Sequence, residues 1–229
     1  MIKIKIIKPS YEIITPKEHI ENMLQRIEKA GRTCYKSENK ITKNSASKFV
    51  KKIVKRRHLS VIEHESISVK IICDRGVSHE AIRHRLCSFS QESSRFCDYN
   101  KDKFNNQITF IQPCWFENDY TQYDCNELNR LITSPLDKDE SKWLWVLFTS
   151  ESEYQSLRES GWKPEQARSV LPNSLKTELV MTANLREWLH IFKLRTAKAS
   201  HPQMREIMIP LCKEFQKLLP EIYGGINEA

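Results

Sequence analysis

The chain opens on a regular alternation, Ile2-Lys3-Ile4-Lys5-Ile6, which sets isoleucine on one face and lysine on the other. That is the two-residue period of a half-buried strand, expected over residues 2–8. Thr15-Pro16-Lys17-Glu18 then reads as a helix start, with Thr15 as cap, Pro16 at the first helical position and Glu18 completing a capping box. This helix is expected to run to Ala30 and to stop at Gly31. A second helix, with the basic tail Lys55-Arg56-Arg57, is expected over residues 43–57. Residues 62–71 read as a strand that carries Ile67, Val69 and Ile71 on one face, and helical character returns over 77–88.

Residues 98–137 show the least periodicity and are expected to form surface loops or an insertion, with a short strand near 108–111. An amphipathic helix follows over 138–160, ended by Gly161, and Pro164 starts a short one. A strand is expected over 174–182. Asn184 is a good cap for a helix reaching Arg195, and a last helix spans 201–219 with Pro220 just beyond it. The pattern predicts a helix-rich α+β fold, without the βαβ rhythm of a doubly wound sheet and without internal repeats.

Length adds a boundary. At 229 residues one compact domain is expected over 1–229, with 98–162 as a variable middle segment. No run of apolar residues is long enough to span a membrane, and MIKIKIIKPS lacks the apolar core of a secretory signal. The seven cysteines are odd in number and none is spaced C-x-x-C. Reduced thiols in a cytoplasm are therefore expected, with neither a disulfide framework nor a metal site. Only five glycines are present, Gly31, Gly76, Gly161, Gly224 and Gly225. Their positions exclude both GxGxxG and GxxxxGK phosphate loops, so any phosphate must be held mainly by side chains. The net charge of +8 suits anionic ligands from nucleotides to nucleic acid, and suits a lysine-rich solvated surface equally well.

The densest chemistry lies in Arg83-His84-Arg85-Leu86-Cys87-Ser88-Phe89-Ser90-Gln91-Glu92-Ser93-Ser94-Arg95-Phe96. Arginine offers a planar fork of donors that binds phosphate bidentately, and serine hydroxyls donate to phosphate or to a ring carbonyl. A basic, serine-rich helix end on the surface has the same composition. Just upstream, His79-Glu80-Ala81-Ile82-Arg83 misses the zincin motif, because arginine stands where the second histidine is needed. Downstream, Arg168, Asn184, Arg186, His190 and Arg195 form a second constellation. Arg186 and His190 are four residues apart on one expected helix and share a face. Beside Trp188, Leu189, Ile191 and Phe192 they are either partly desolvated anion binders or the wet side of an amphipathic helix. His58 and His64 flank a strand entry, where a structural role is the ordinary one. Cys87 has no base at a catalytic spacing.

Taken together these segments resemble the flavin-dependent thymidylate synthases. The signature is Arg83-His84-Arg85, seven residues, then Ser93, followed by Arg95 and Phe96. His58 with Ser60, Arg168-Ser-Val-Leu-Pro172, Asn184-Leu-Arg186-Glu-Trp-Leu-His190, Leu194-Arg195 and Gly31-Arg32-Thr33-Cys34-Tyr35 are similar to further family elements. The resemblance covers residues 1–97 and 163–218.

It implies an antiparallel sheet flanked by helices, of the thymidylate synthase-complementing type, in a homotetramer whose active sites are shared between subunits. It also implies a reaction, the reductive methylation of dUMP to dTMP. 5,10-Methylenetetrahydrofolate gives the carbon, FAD reduced by NADPH gives the hydride, and no protein cysteine acts as nucleophile. By resemblance, Glu80, Ala81, Ile82, Arg83, Gln91, Glu92, Ser93, Ser94, Arg95, Arg168 and Arg195 would hold dUMP, with Arg168 reaching the nucleotide from another subunit. His58, Ser60, Arg83, His84, Arg85, Asn184, Arg186 and His190 would hold the flavin. Arg195 and Ser93 would be catalytic, with Arg195 against the uracil ring.

Those roles make physical sense. C5 of uracil is a weak nucleophile, and negative charge at N3 and O4 pushes electron density towards it. A guanidinium stabilises that charge best where water is excluded, and arginine stays cationic at any working pH. Ser93 reads as a polarising donor, since no histidine–carboxylate pair is spaced to activate it. The departures are Glu80 where glutamine is common, Gln91 where glutamate is common, and His190 where asparagine is also found. Two alternatives stand beside the enzyme. One is a basic nucleic-acid-binding protein, although only Phe89 and Phe96 interleave with the basic residues. The other is a degenerate relative that binds nucleotide without turnover.

Overall fold

The computed structural model describes residues 4–101, 104, 106–132 and 138–226. Residues 2 and 3 of the expected first strand, and 133–137 of the expected irregular segment, lie outside them. Among the described residues six strands are formed: β1 (Ile4–Ile7), β2 (Ser10–Ile13), β3 (Ser66–Asp74), β4 (Ser88–Gln91), β5 (Ile108–Ile111) and β6 (Lys176–Asn184). The helices are α1 (Lys17–Glu21), α2 (Met23–Thr33), α3 (Ser45–Lys55), α4 (Arg75–Ala81), α5 (Cys125–Ile132), α6 (Lys138–Glu159), α7 (Pro164–Ala167), α8 (Leu185–Arg195), α9 (Pro202–Leu218) and α10 (Pro220–Tyr223). The expected helix-rich α+β class with an antiparallel sheet is the one observed, together with a small parallel sheet.

The chain divides into two compact units. The first comprises 1–10, 72–81 and 91–179. Here β1 pairs in parallel with β5, in the register Ile4↔Ile108 to Ile7↔Ile111. The alternation read from the sequence places Ile4 and Ile6 inside and Lys5 outside. Against them lie Phe110, Tyr120, Leu144, Leu147 and Tyr154, all buried. Two polar pairs are enclosed with this core: Arg158 Nη2 donates to Asp98 Oδ2 at 2.7 Å, and the Tyr120 hydroxyl donates to Glu140.

The second unit comprises 11–71, 82–90 and 180–229. Its core is aromatic. Trp188 stacks on Phe192 at 5.4 Å, and Phe215 meets the edge of Phe192 at 5.0 Å. The buried polar atoms of these rings are satisfied: Trp188 Nε1 donates to the Ile67 carbonyl and the Tyr223 hydroxyl to the Leu185 carbonyl, each at 3.0 Å. Most of the four-stranded sheet, in the order β2-β3-β6-β4, belongs to this unit. On β3 the residues Ile67, Val69 and Ile71 are buried on one face, as their spacing predicts.

Several local expectations need correction. The helix expected over 77–88 ends at Ala81, so Arg83-His84-Arg85 lie in a turn and Ser88–Gln91 is strand. Sheet pairing overrides local propensity there. The strand expected from residue 62 begins at Ser66, because Leu59–His64 is a 3-10 turn. The first helix is broken at Asn22, and the Thr15 hydroxyl accepts the Ser68 N–H instead of capping the helix. Gly31 does not stop α2, which continues to Thr33. A Cβ at Gly31 would lie 2.7 Å from the Phe49 ring, so glycine serves close approach of α3 here. By contrast Gly161, at φ +88°, does end α6 in the left-handed region.

Candidate active site

The signature segment crosses between the units. The chain leaves the first between Ala81 and Ile82 and returns to it between Ser90 and Gln91. The predicted site residues therefore fall into two sets. Glu80, Ala81, Gln91, Glu92, Ser93, Ser94, Arg95 and Arg168 belong to the first unit. His58, Ser60, Ile82, Arg83, His84, Arg85, Asn184, Arg186, His190 and Arg195 belong to the second.

In the first unit the residues after β4 are held by partners far along the chain. Gln91 Nε2 donates to Ser78 Oγ at 2.9 Å and to Thr177 Oγ1 at 3.1 Å, which ties β4 to α4 and β6. Arg168 Nη1 donates to the buried Ser94 Oγ at 3.0 Å. Arg95, exposed, stands over the Phe96 ring and 3.5 Å from Glu165. Ser93 Oγ accepts the Arg95 N–H at 3.4 Å. Glu92 is taken up within the protein, accepting from Lys176 Nζ at 3.0 Å and from the Tyr99 hydroxyl at 3.4 Å. Burial works against the Lys176 charge, but the hydrogen bonds it donates to Glu178 and Glu92 outweigh it and lift its pKa. Ser93, Arg95 and Arg168 carry donor groups of the kind that suit an anion.

Sequence reasoning missed Arg75, Ser78 and Lys176 in this set. Arg75 Nη1 reaches Thr177 Oγ1 at 3.4 Å. No local motif marks these residues: Ser78 on α4 meets Gln91 by a direct hydrogen bond, Arg75 on α4 meets Thr177 of β6, and Lys176 on β6 meets Glu92.

In the second unit α8 is capped as predicted: Asn184 Oδ1 accepts the Glu187 N–H at 2.8 Å. One turn of this helix presents Arg186, Glu187 and His190. His58, Ser60 and Arg186 line a cavity of 430 Å³, together with Gly31, Tyr35, Phe49 and Arg57. Asn184, Arg186 and His190 line a second hollow of 540 Å³, with Glu63, Leu86 and Glu187. Arg186 borders both, and its Nη1 donates to Glu63 Oε1 at 2.6 Å. Arg57 holds a left-handed backbone (φ 59°) immediately before His58, at the end of α3.

His84 is the buried centre of the turn. Arg195 Nε donates to its Nε2 at 2.9 Å, Glu187 Oε1 lies 3.5 Å from its Nδ1, and the His190 ring meets it edge-on at 5.9 Å. Burial first, then the charges of Arg195 and His190, pull the His84 pKa down to about 4. The imidazole is neutral at working pH, so the Glu187 contact is charge to dipole and not an ion pair. His84, Glu187 and His190 bring one donor atom each within 4.8 Å of one another. The Arg195 guanidinium beside them makes this a poor place for a cation. Burial, followed by Glu187, pushes the Cys87 thiol up to about 12, so it stays protonated and unreactive.

Comparison with known proteins matches these features to one family. The profile described as "Thymidylate synthase complementing protein" covers residues 17–221. A flavin-dependent thymidylate synthase of Mycobacteroides abscessus is 31% identical over 210 residues, spanning 89% of this chain and 79% of that protein. One from Pyrococcus furiosus is 28% identical over 82% of this chain and 69% of that protein. Among solved structures, thymidylate synthase X of Helicobacter pylori, with FAD and dUMP, superposes with a TM-score of 0.66 at 20% identity, covering 94% and 98% of the two chains. The UMP/dUMP methylase PolB of Streptomyces cacaoi, bound with 5-Br dUMP, gives 0.65 at 22%, covering 96% and 95%. At those identities the structures speak for the fold, and the sequence matches carry the family. The chain that carries the Arg83-His84-Arg85 turn and Ser93 belongs to the thymidylate synthase complementing protein family.

Proposed function

We propose that the protein is a flavin-dependent thymidylate synthase, acting as one functional domain over 1–229, that converts dUMP to dTMP with 5,10-methylenetetrahydrofolate as carbon donor. The observation that carries this is family membership, with the Arg83–Ser93 signature intact and both of its flanks held by side-chain contacts. No observation favours nucleic-acid binding as the activity.

The roles follow from what each set of residues offers. Ser93, Ser94, Arg95 and Arg168 supply hydroxyl and guanidinium donors for the dUMP phosphate, with Glu80 to Arg83 and Gln91 completing the nucleotide side. Glu92 contributes by fixing Lys176 and Tyr99 behind the strand, since its oxygens already accept from both. His58, Ser60, Arg186, Asn184 and His190 border two hollows rich in donors and aromatic surface, which fits a flavin dinucleotide. His84 and the exposed Arg83 and Arg85 belong to the same side. Arg57 and Arg186 add cationic charge suited to a pyrophosphate. Bound there and reduced by NADPH, FAD supplies the hydride. Arg195 stabilises negative charge on the uracil at N3 and O4 and so raises the nucleophilicity of C5. With Cys87 held protonated, no thiolate at that position competes as the nucleophile.

A homotetramer with shared sites is supported by the apolar side chains left open around the signature. Leu86 and Phe96 are each 76% exposed, and Ile82 and Leu194 are exposed as well. Such side chains are usually covered by a partner surface. Cytoplasmic operation agrees with seven cysteines that are odd in number and lack C-x-x-C spacing. No helix among the described residues is long and apolar enough to cross a membrane. The test is product formation. Purified protein with dUMP, methylenetetrahydrofolate, FAD and NADPH should yield dTMP, and omission of dUMP, methylenetetrahydrofolate or NADPH, or removal of the bound flavin, should abolish it. Turnover that persists without flavin would refute the reading.

A further inference from the structure

Glu187 was not among the residues singled out from the sequence, and the resemblance gives it no role. Its place is nevertheless specific. It lies at the third position of α8, where the Asn184 cap accepts its N–H, and its side chain is only 8% exposed. A buried carboxylate needs partners, and the polar end of a helix N-terminus supplies part of that need. Its Oε1 faces Nδ1 of His84, which is itself buried. On the other side of the same ring, Nε2 accepts from Arg195 Nε at 2.9 Å.

A neutral imidazole carries one proton. Arginine nitrogens only donate, so the nitrogen facing Arg195 must be bare. The ring proton is then on Nδ1, pointing at Glu187. The other tautomer would set an N–H against the guanidinium N–H and a lone pair against the carboxylate, which is unfavourable at both ends.

We infer that Glu187 is a positioning residue for Arg195 that acts through His84: its carboxylate keeps the ring proton on Nδ1, and the bare Nε2 then fixes the direction of the Arg195 Nε–H. The order Glu187–His84–Arg195 thus sets the direction of the guanidinium through its Nε–H. The effect on turnover rests on the proposed role of Arg195 towards dUMP; the tautomer does not.

The experiment uses the FAD-loaded protein labelled with 15N in its histidine rings, with the His84 signals assigned by difference against His84→Gln. In the native protein His84 is expected to carry its proton on Nδ1 with Nε2 bare across pH 6–8. Glu187→Met, close in size and without the carboxylate, should give a mixture of tautomers or the Nε2–H form. It should also lower kcat about tenfold while KM for dUMP changes less than about threefold, as expected when an electrostatic group is misaimed. Glu187→Gln keeps an acceptor oxygen and should restore both the Nδ1–H signal and most of kcat. A native protein with the proton on Nε2 overturns the inference, and so does an unchanged tautomer in Glu187→Met. The native spectrum alone tests the first step, so the outcome does not hang on one variant folding. A protein that makes no dTMP, yet shows the Nδ1–H form and its loss in Glu187→Met, would sink the functional reading and leave the proton placement standing.

Discussion

Arg168 and Ser94 lie 74 positions apart in the sequence, yet Arg168 Nη1 donates to Ser94 Oγ at 3.0 Å. This contact aims an exposed guanidinium at the segment that follows β4, beside Ser93 and Arg95.

Arg168→Ala should therefore weaken nucleotide binding far more than folding. The expected change is a rise of about tenfold or more in KM for dUMP, as for loss of a charge-assisted contact. Unfolding free energy should move by less than about 1 kcal/mol, because the side chain is exposed. Steady-state kinetics with a parallel urea titration checks both. A large stability loss with unchanged KM would assign Arg168 to structure alone.

The thiol of Cys87 is half-buried, and burial followed by the charge of Glu187 pushes it up to about 12. Cys87→Ala is expected to retain turnover within about threefold, since a protonated thiol is no nucleophile. Initial rates of dTMP formation decide this. A drop to background would mean that the thiol takes part in the chemistry.

Gly31 lies against Phe49, and both line the cavity that also holds His58 and Ser60. Gly31→Ala should force the Phe49 ring aside and cost about 1–3 kcal/mol, the usual range for overpacking. Flavin retention on gel filtration should fall with it. Unchanged thermal unfolding would show that the α2–α3 contact relaxes at no cost.

His84 makes a pH prediction whose sign is fixed. Its ordinary value is 6.5, and burial, then Arg195 and His190, lower it to about 4 in the fold. Between those values the unfolded chain binds a proton that the native one refuses. The stability it contributes is complete above pH 6.5 and is lost as pH falls towards 4, at no more than about 1.4 kcal/mol per pH unit. Urea unfolding at pH 7 and pH 5 should show a smaller decline for His84→Gln than for the native protein. Equal declines would contradict the buried neutral imidazole.

What could be read from the sequence was what local chemistry dictates. The Ile–Lys alternation gave β1, and Asn184 gave the start of α8, because pleat periodicity and a capping oxygen act within a few residues. The capping box Asp124–Glu127, whose side chains accept each other's N–H at 2.8 and 2.7 Å, was equally local and would have revealed α5. The misreadings came where distant chain intervenes. Thr15 looks like a cap, but its hydroxyl is taken by Ser68. Gly31 looks like a stop, but Phe49 demands its small size. The helix through 77–88 looked continuous, but sheet pairing pulls Ser88–Gln91 into a strand and leaves the arginines in a turn. Motif spacing singled out the candidate site residues. It did not single out their partners Arg75, Lys176 and Glu187, because each is defined by a contact and not by a pattern.

The central claim is that the second unit's hollows hold a flavin whose oxidation is coupled to dUMP. The most direct measurement is the visible spectrum of the purified protein, followed under anaerobic NADPH and then on adding dUMP with methylenetetrahydrofolate. The account predicts a yellow protein that bleaches with NADPH and regains its colour as dTMP appears, with Arg195→Ala bleaching but failing to recover. A colourless protein that takes up no added FAD, or a reduced flavin indifferent to dUMP, would contradict it.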